Sequence, residues 1–502
     1  MVMTKVYNDF IELVKEVNYL RDATEMLQWD QETFMPARGV EDRSLQLATL
    51  SSIYHEKLTS KRMGNFLKEL QSNGNHTTLN PEQQANIREI AWEFHRASAV
   101  SVKLVKEMAI TKSVASQKWV EAREKSDFSI FAPLLKKLVD QRKQMAEAIG
   151  YEDLPYDALL DEFEPGLKTK EVTTLFSSLR DKLVPIVSKI IDSGIRPDQT
   201  IASNEYPIDR QIKFNHEIAN SLGFDFERGR IDVSAHPFTT GTIHDTRFTT
   251  NYQADNMLFA LFATIHETGH ALYAQGHLEK NYGVPMGQPV SMAIHESQSR
   301  MWENIIGRSI PFWEYFYPKI KANFPNQLGA TSMEEFHAAV NDVHPSLIRV
   351  QADEATYNLH ILLRFEMESA IINDDFNVME APEVWNEKTE KYLKIEVPDH
   401  AHGVLQDIHW SLGYFGYFPT YSLGNLYSSQ FFQQANRDIP DLWTTIREGR
   451  FDVLLGWLRS NIHEKGQLQR AGDLVKTVTG KALDEDIFIS YLKDKYSSLY
   501  NL

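Results

Sequence analysis

The chain has 502 residues, no cysteine and a formal charge of −17 at pH 7, with 42% apolar and 24% charged residues. That is ordinary globular composition with ample chain for a large core, and it excludes disulfides and thiol catalysis. The acidic surplus is dispersed rather than gathered into a tail, which argues against nucleic acid or an anionic membrane as partner.

Length alone suggests about three domains at roughly 150 residues each. The N-terminus, MVMTKVYNDFIELVKEV, lacks the continuous apolar core of a signal peptide. The longest uninterrupted apolar stretch, Met257 to Ala263, is far below the roughly 18 residues of a membrane span. A soluble cytoplasmic protein is expected, and the lack of cysteine suits a reducing compartment.

The first 150 or so residues read as helices. Phe10, Leu13, Val14, Val17 and Leu20 repeat at three and four, marking one amphipathic face. SNGNHTTLN, residues 72–80, reads as a polar loop, after which Asn80-Pro81-Glu82 supplies a cap, a first-turn proline and an acid for the next helix. Trp29 to Arg38 reads as a helix end stopped before Pro36 with Trp29 in the core. Between Tyr151 and Gln199, Pro155, Pro165-Gly166, Gly194 and Pro197 predict shorter segments at a lobe junction.

Ile231 to Tyr252 is the clearest β stretch, with β-branched and aromatic residues on either side of a turn at Gly241. A small antiparallel sheet there would bring His236, Asp245 and Arg247 near a cleft, although Asp245 and Arg247 can equally pair across a solvated strand.

Asn256 to Gln275 follows as an apolar, proline-free helix containing His266-Glu267-Thr268-Gly269-His270. Residues four apart lie on one helix face, so His266 and His270 can aim two imidazoles at one metal ion while Glu267 sits one step round. Two imidazoles and a carboxylate on so apolar a helix would be expensive to desolvate without a partner. A catalytic zinc needs a third protein ligand and an open position. His277 is one residue out of register for a third ligand on the same strand of sequence. The helical stretch Ser291 to Gly307 offers Glu296 or, two turns on, Glu303, and its periodicity leaves the choice open.

Downstream, IRVQADEATYNLHILLRFEMES from Ile348 reads as a helix in which Arg349 and Asp353 are spaced to form an i,i+4 pair. Arg349 is alternatively suited to grip a carboxylate with its planar fork, with Arg247 as rival. From Gly403 to Tyr427, glycines and aromatic rings gather around His409, most of them core.

HETGH followed by HESQSR resembles the M32 family of zinc metallocarboxypeptidases, the carboxypeptidase Taq type. WDQETFMPARG (Trp29 to Gly39), HPF (His236 to Phe238), DTRFT (Asp245 to Thr249), IRVQAD (Ile348 to Asp353) and GVLQDIHW (Gly403 to Trp410) extend the resemblance over nearly the whole chain. It implies a mainly α fold like that of neurolysin and angiotensin-converting enzyme, one domain of two lobes around a deep groove, with an N-terminal helical part about 1–150 and a zinc-site core about 230–430. It also implies Glu296 as the third ligand, one Zn2+ per subunit and a homodimer.

Similar peptidases place a His and a Tyr to donate to the tetrahedral intermediate, which points to His409 and Tyr421, with Tyr414 and Tyr417 as alternates. The metal would activate water and Glu267 would shuttle its proton. Arg349 or Arg247, with His236 and Asp245, would bind the substrate, a peptide with a free C-terminus that loses one residue at a time. His/His/Glu accepts Co2+ as well as Zn2+. The competing readings are an oligopeptidase of related fold, endo-acting or dipeptide-releasing, and a helical peptide-binding protein with a closed structural metal site.

Overall fold

The structure, a computed structural model, describes residues 2–72 and 77–502, so residues 73–76 of the polar stretch at 72–80 lie outside the described residues. Helices α1 (Val2–Thr33), α2 (Val40–Leu58), α3 (Lys61–Leu70) and α4 (Pro81–Ala99) come first. Asn80 caps α4 in a reciprocal capping box with Gln83, and Pro81 occupies the first turn. The α1 stripe Phe10, Leu13, Val14 and Val17 packs on Leu58, Met63, Leu67 and Ile87 as a small core of its own, which also takes in Val284 and Met286 from far along the chain. Trp29 is buried near the end of α1, and the chain leaves the helix before Pro36.

Helices α5 (Val102–Glu124) and α6 (Ala132–Ile149) belong instead to a larger continuous core that runs on to Tyr500. After the short α7 (Pro155–Leu160) the chain turns at Pro165-Gly166, and α8 (Thr169–Asp192) runs from there to the next break at Gly194 and Pro197. Pro185 lies inside it. A proline removes one helical hydrogen bond, whereas seven buried apolar residues from Val172 to Ile190 hold this helix against the core. Then follow α9 (Thr200–Ser203) and α10 (Ile208–Leu222).

Strands β1 (Gly229–Val233), β2 (Thr239–Thr242) and β3 (Asp245–Thr250) form a three-stranded sheet in the order β1-β3-β2. Only β2 and β3 are antiparallel. β1 joins β3 in parallel, so the sheet is mixed, because the 234–238 link carries the chain across β3 rather than folding back beside β1. The turn lies at Ile243-His244 and not at Gly241, which sits within β2 at positive φ. A Cβ there would stand 2.0 Å from the Asp245 carbonyl oxygen.

α11 (Met257–Ala274) and α12 (Met292–Arg300) follow, the latter continuing through a π-helical stretch, Met301–Ile306. Beyond them lie α13 (Ile310–Asn323), α14 (Pro325–Leu328), α15 (Met333–Val340), α16 (Glu354–Asn373), α17 (Ala381–Leu393) and α18 (Pro419–Asp438). The remaining helices are α19 (Leu442–Arg447), α20 (Asp452–Asn461), α21 (Ala471–Thr479) and α22 (Glu485–Tyr500). The helix expected from Ile348 begins only at Glu354, since Asp353 caps it by accepting the Ala355 and Thr356 N–H groups. Arg349 and Asp353 therefore do not pair. No helix among the described residues is long and apolar enough to cross a membrane.

One buried carboxyl ties the end of this fold together. Glu368 on α16 accepts the Tyr156 hydroxyl, the Trp410 indole N–H and the Gly416 backbone N–H. Burial pushes it up to about 7, against the pull of those donors. Its folded value thus lies above the ordinary value of 4.5, so its contribution to stability is complete below that value and is lost as pH rises through about 7. The expected outcome is that the denaturation midpoint of the wild type exceeds that of Glu368→Gln by most near pH 4.5, and that the gap narrows towards pH 8; a constant gap would mean an ordinary carboxylate.

Candidate metal centre and cleft

α11 is buried on most of its circumference, and its two histidines face α12. The His266 and His270 rings lie 4.8 Å apart. Opposite them, the Glu296 Oε2 stands 3.6 Å from His266 Nε2 and 3.4 Å from His270 Nε2. The three ligand atoms lie within 4.8 Å of one another.

Two glycines allow this convergence. A Cβ on Gly269 would sit 2.6 Å from the Ser299 Cα, so α11 and α12 touch backbone to backbone. A Cβ on Gly424 of α18 would sit 2.6 Å from the Glu296 Cγ, so α18 closes on that carboxylate from a third side.

Around the ligands lies a second set of partners. Glu303 Oε2 is 2.8 Å from His266 Nδ1. A carboxylate can only accept, so Nδ1 carries a proton there, and Nε2, on the side of Glu296, is the nitrogen left to coordinate a metal ion. His295 pairs through its Nδ1 with His270 Nδ1. Arg300 donates to Glu296 at 2.7 Å and to Glu303 at 3.2 Å while lying over the Tyr357 ring. Burial works against the charge on Glu296, yet Arg300, His266 and His270 hold it well below the usual carboxylate range. Glu303, partly buried, is brought down to about 2 by Arg300 and His266 against the cost of that burial. Two imidazole nitrogens and one ionised carboxylate, each fixed from behind, suit a divalent metal and provide three protein ligands of the four a tetrahedral ion takes.

Glu267 is buried, and the Thr239 hydroxyl of β2 donates to its Oε2 at 2.6 Å. It borders a cleft of about 560 Å³ whose walls also include Asp22 and Glu25 of α1, Phe238 to Ile243 of the sheet, and Tyr417 and Tyr421. The two tyrosine rings lie 5.4 Å apart. Burial pushes Tyr417 up to about 12 and Tyr421 well above its ordinary value, so both phenols keep their protons.

The other expected site residues stand further back. His409 packs on Phe418 and Tyr417 behind the cleft wall; burial brings it down to about 4, so it is neutral, and its Nδ1 has no hydrogen-bond partner among the described residues. Tyr414 stacks on Tyr417. Arg349 is buried, with Nε and one terminal nitrogen on Asp407 and the other on the Tyr357 hydroxyl, and its guanidinium lies over Tyr421. Arg247 grips Asp245 with both arms of its fork and lies over Trp29, on the sheet rather than in the cleft. His236 is exposed, two residues from the cleft-lining Phe238.

Sequence reading missed His295, Thr239, Arg300 and Gly424. Arg300 carries a local signal, being four residues after Glu296 on one helix face. The contact of Thr239 with Glu267 crosses between elements and leaves no mark in spacing.

The model of the carboxypeptidase Taq (M32) metallopeptidase family matches residues 9–496. The chain is 41% identical to thermostable carboxypeptidase 1 of Thermus thermophilus, with 100% of both chains covered. It is 37% identical to carboxypeptidase 1 of Bacillus subtilis over 98% of each. Among solved structures, it superposes on the M32 carboxypeptidase from Deinococcus radiodurans with a TM-score of 0.96 at 35% identity, covering 99% of this chain and 100% of that one.

The Gly269 contact gives a direct test of the geometry. Gly269→Ala is expected to push α11 from α12, lower stability by about 1–3 kcal/mol and weaken metal binding at least about tenfold in competition with a chelator. Unchanged metal affinity in the folded variant would disprove the role of the close contact.

Proposed function

This chain belongs to the carboxypeptidase Taq (M32) metallopeptidase family, and we propose that it removes single amino acids from the free C-terminus of peptides, using one Zn2+ held by His266, His270 and Glu296. The observation that carries the reading is the convergence of those three ligand atoms within 4.8 Å beside the buried carboxylate of Glu267. The same donor set would accept Co2+ in place of Zn2+.

When bound by His266, His270 and Glu296, the ion would supply Lewis acidity toward water and the scissile carbonyl. Glu267 takes the proton of the attacking water and hands it to the leaving amine, general acid–base work typically worth about 10² to 10⁴-fold. The hydrogen bond from Thr239 fixes the carboxylate for that transfer. Tyr421, with Tyr417 beside it, donates to the developing oxyanion, a role that suits phenols held protonated by burial. His409, neutral and packed against Tyr417, supports that wall and can donate once the substrate draws it forward.

Arg349 reads the terminal carboxylate. Three of its five N–H donors are committed to Asp407 and Tyr357, which leaves two for a substrate and a fork locked in orientation. Arg247, whose fork already holds Asp245, is the second choice, and with His236 it would act at the cleft rim. The peptide itself would lie along β2, an edge strand that borders the cleft and offers main-chain partners to an extended chain. We read all 502 residues as one peptidase domain, cytoplasmic in keeping with its lack of cysteine, and homodimeric as the family resemblance implies.

Two outcomes are expected. Glu267→Gln retains the metal and loses at least about 10²-fold in kcat, because the amide cannot accept a proton; normal turnover would remove Glu267 from the mechanism. Mass spectrometry of a free-acid peptide beside its C-terminal amide should give a ladder of single-residue losses from the free acid alone, abolished by chelation. Internal cuts in both peptides would indicate an oligopeptidase, and metal binding without cleavage a binding protein.

A further inference from the structure

The N-terminus of α12, the helix that carries Glu296, is closed by a turn from elsewhere in the chain. Of the N–H groups in its first turn, Met292 donates to the Phe163 carbonyl at 3.2 Å and Ala293 to the Glu164 carboxyl at 2.5 Å. Ile294 donates to the Ser291 hydroxyl at 3.2 Å and His295 to the Ser291 carbonyl at 3.0 Å. Met292, Ala293 and Ile294, which have no partner within the helix ladder, are thus answered, two of them by residues about 130 positions earlier, and the His295 bond to Ser291 opens the ladder itself. Glu164 is 2% exposed, also hydrogen-bonds the Ser291 side chain, and has no Lys, Arg or His paired with it among the described residues. Nothing in the proposed reaction uses it.

The neighbouring residue reaches the other wall of the cleft. The Phe163 ring meets Tyr417 edge-on at 5.1 Å and Tyr414 at 6.5 Å. One two-residue turn therefore holds both the start of the metal-ligand helix and the tyrosine that faces the metal ligands across the cleft.

We propose that Glu164 is a positioning residue for the metal centre: by closing the N-terminus of α12 it fixes where Glu296 stands relative to His266 and His270. The proposal rests on the metallopeptidase reading above. Met292 to Glu296 is little more than one helical turn, so a shift of the helix start is carried directly to the ligand. The helix cannot compensate by sliding, because Gly269 and Gly424 hold it against two neighbouring backbones. Burial pushes the Glu164 carboxyl up to about 8, so near neutral pH it acts as an uncharged hydrogen-bonding group, and glutamine reproduces both its shape and its acceptor.

The test compares Glu164→Ala, Glu164→Gln and Leu179→Ala, the last a cavity variant in α8 remote from the metal. Each is loaded with Zn2+ and measured for thermal midpoint, zinc retention against a chelator, kcat and KM. Glu164→Ala is expected to lose zinc about tenfold more readily and to lower kcat about tenfold or more, with KM within about twofold, while Glu164→Gln restores both. Leu179→Ala should lose stability yet keep zinc retention and kcat. The proposal is overturned if folded Glu164→Ala binds zinc and turns over like the wild type, or if Leu179→Ala loses zinc as Glu164→Ala does, which would reduce the effect to general destabilisation. A wild type that binds zinc without cleaving peptides would defeat the enzymatic reading, while the zinc-retention comparison would still decide the role of Glu164.

Discussion

The contact on which the site depends is the one between the backbones of α11 and α12, where Gly269 meets Ser299. Helices that pack through side chains hold their axes roughly 8–10 Å apart. A hydrogen atom in place of a side chain lets these two approach until ligand atoms from both fall within 4.8 Å of one another. Gly424 repeats the device from α18, so Glu296 is confined by three helices at once. The interior is densely packed, and small displacements at such contacts are costly. The arrangement of the three candidate ligands is therefore a property of the packed core and not of a flexible loop.

Behind that contact lie two buried charge networks. Glu296, Arg300, Glu303 and Arg308 form one, and Asp407 with Arg349 and Arg364 forms the other. Tyr357 joins them, its ring under Arg300 and its hydroxyl accepting from Arg349. Buried ion pairs add little net stability, but losing one partner strands a charge at a cost of about 3–5 kcal/mol. Such networks hold a particular arrangement, and here they fix from behind both the proposed metal ligands and the proposed carboxylate-binding arginine.

The sequence revealed most where chemistry is local. His266, Glu267 and His270 share one helical turn, and their spacing alone predicts the clamp that the structure forms. The third position was legible only as Glu296 or Glu303. The two differ in which side of α12 faces α11, and residue periodicity cannot fix that rotation; the structure puts Glu296 between the histidines and Glu303 behind His266. Pro155, Pro165-Gly166, Gly194 and Pro197 mark breaks that the structure has, whereas Pro185 lies inside α8, where tertiary burial outweighs a local breaker. Arg349 and Asp353 looked paired by spacing, but Asp353 was taken up as a helix cap and Asp407, from 58 residues further on, claimed the arginine. Glu164 was silent for the same reason, since its partners lie on a distant helix start.

The edge strand β2 has a consequence beyond the substrate binding proposed for it. A strand with unpaired main-chain groups is an invitation to pair with another protein, and chains usually blunt such edges with charge, proline or a bulge. Here α1 lies over β2, with Thr240 hydrogen-bonded to Glu25, and the opposite side is walled by α11. The edge borders the cleft between these helices, where an extended chain has more room than the edge of a neighbouring sheet. Concealment of this kind keeps the strand available for recognition without making it a seed for aggregation.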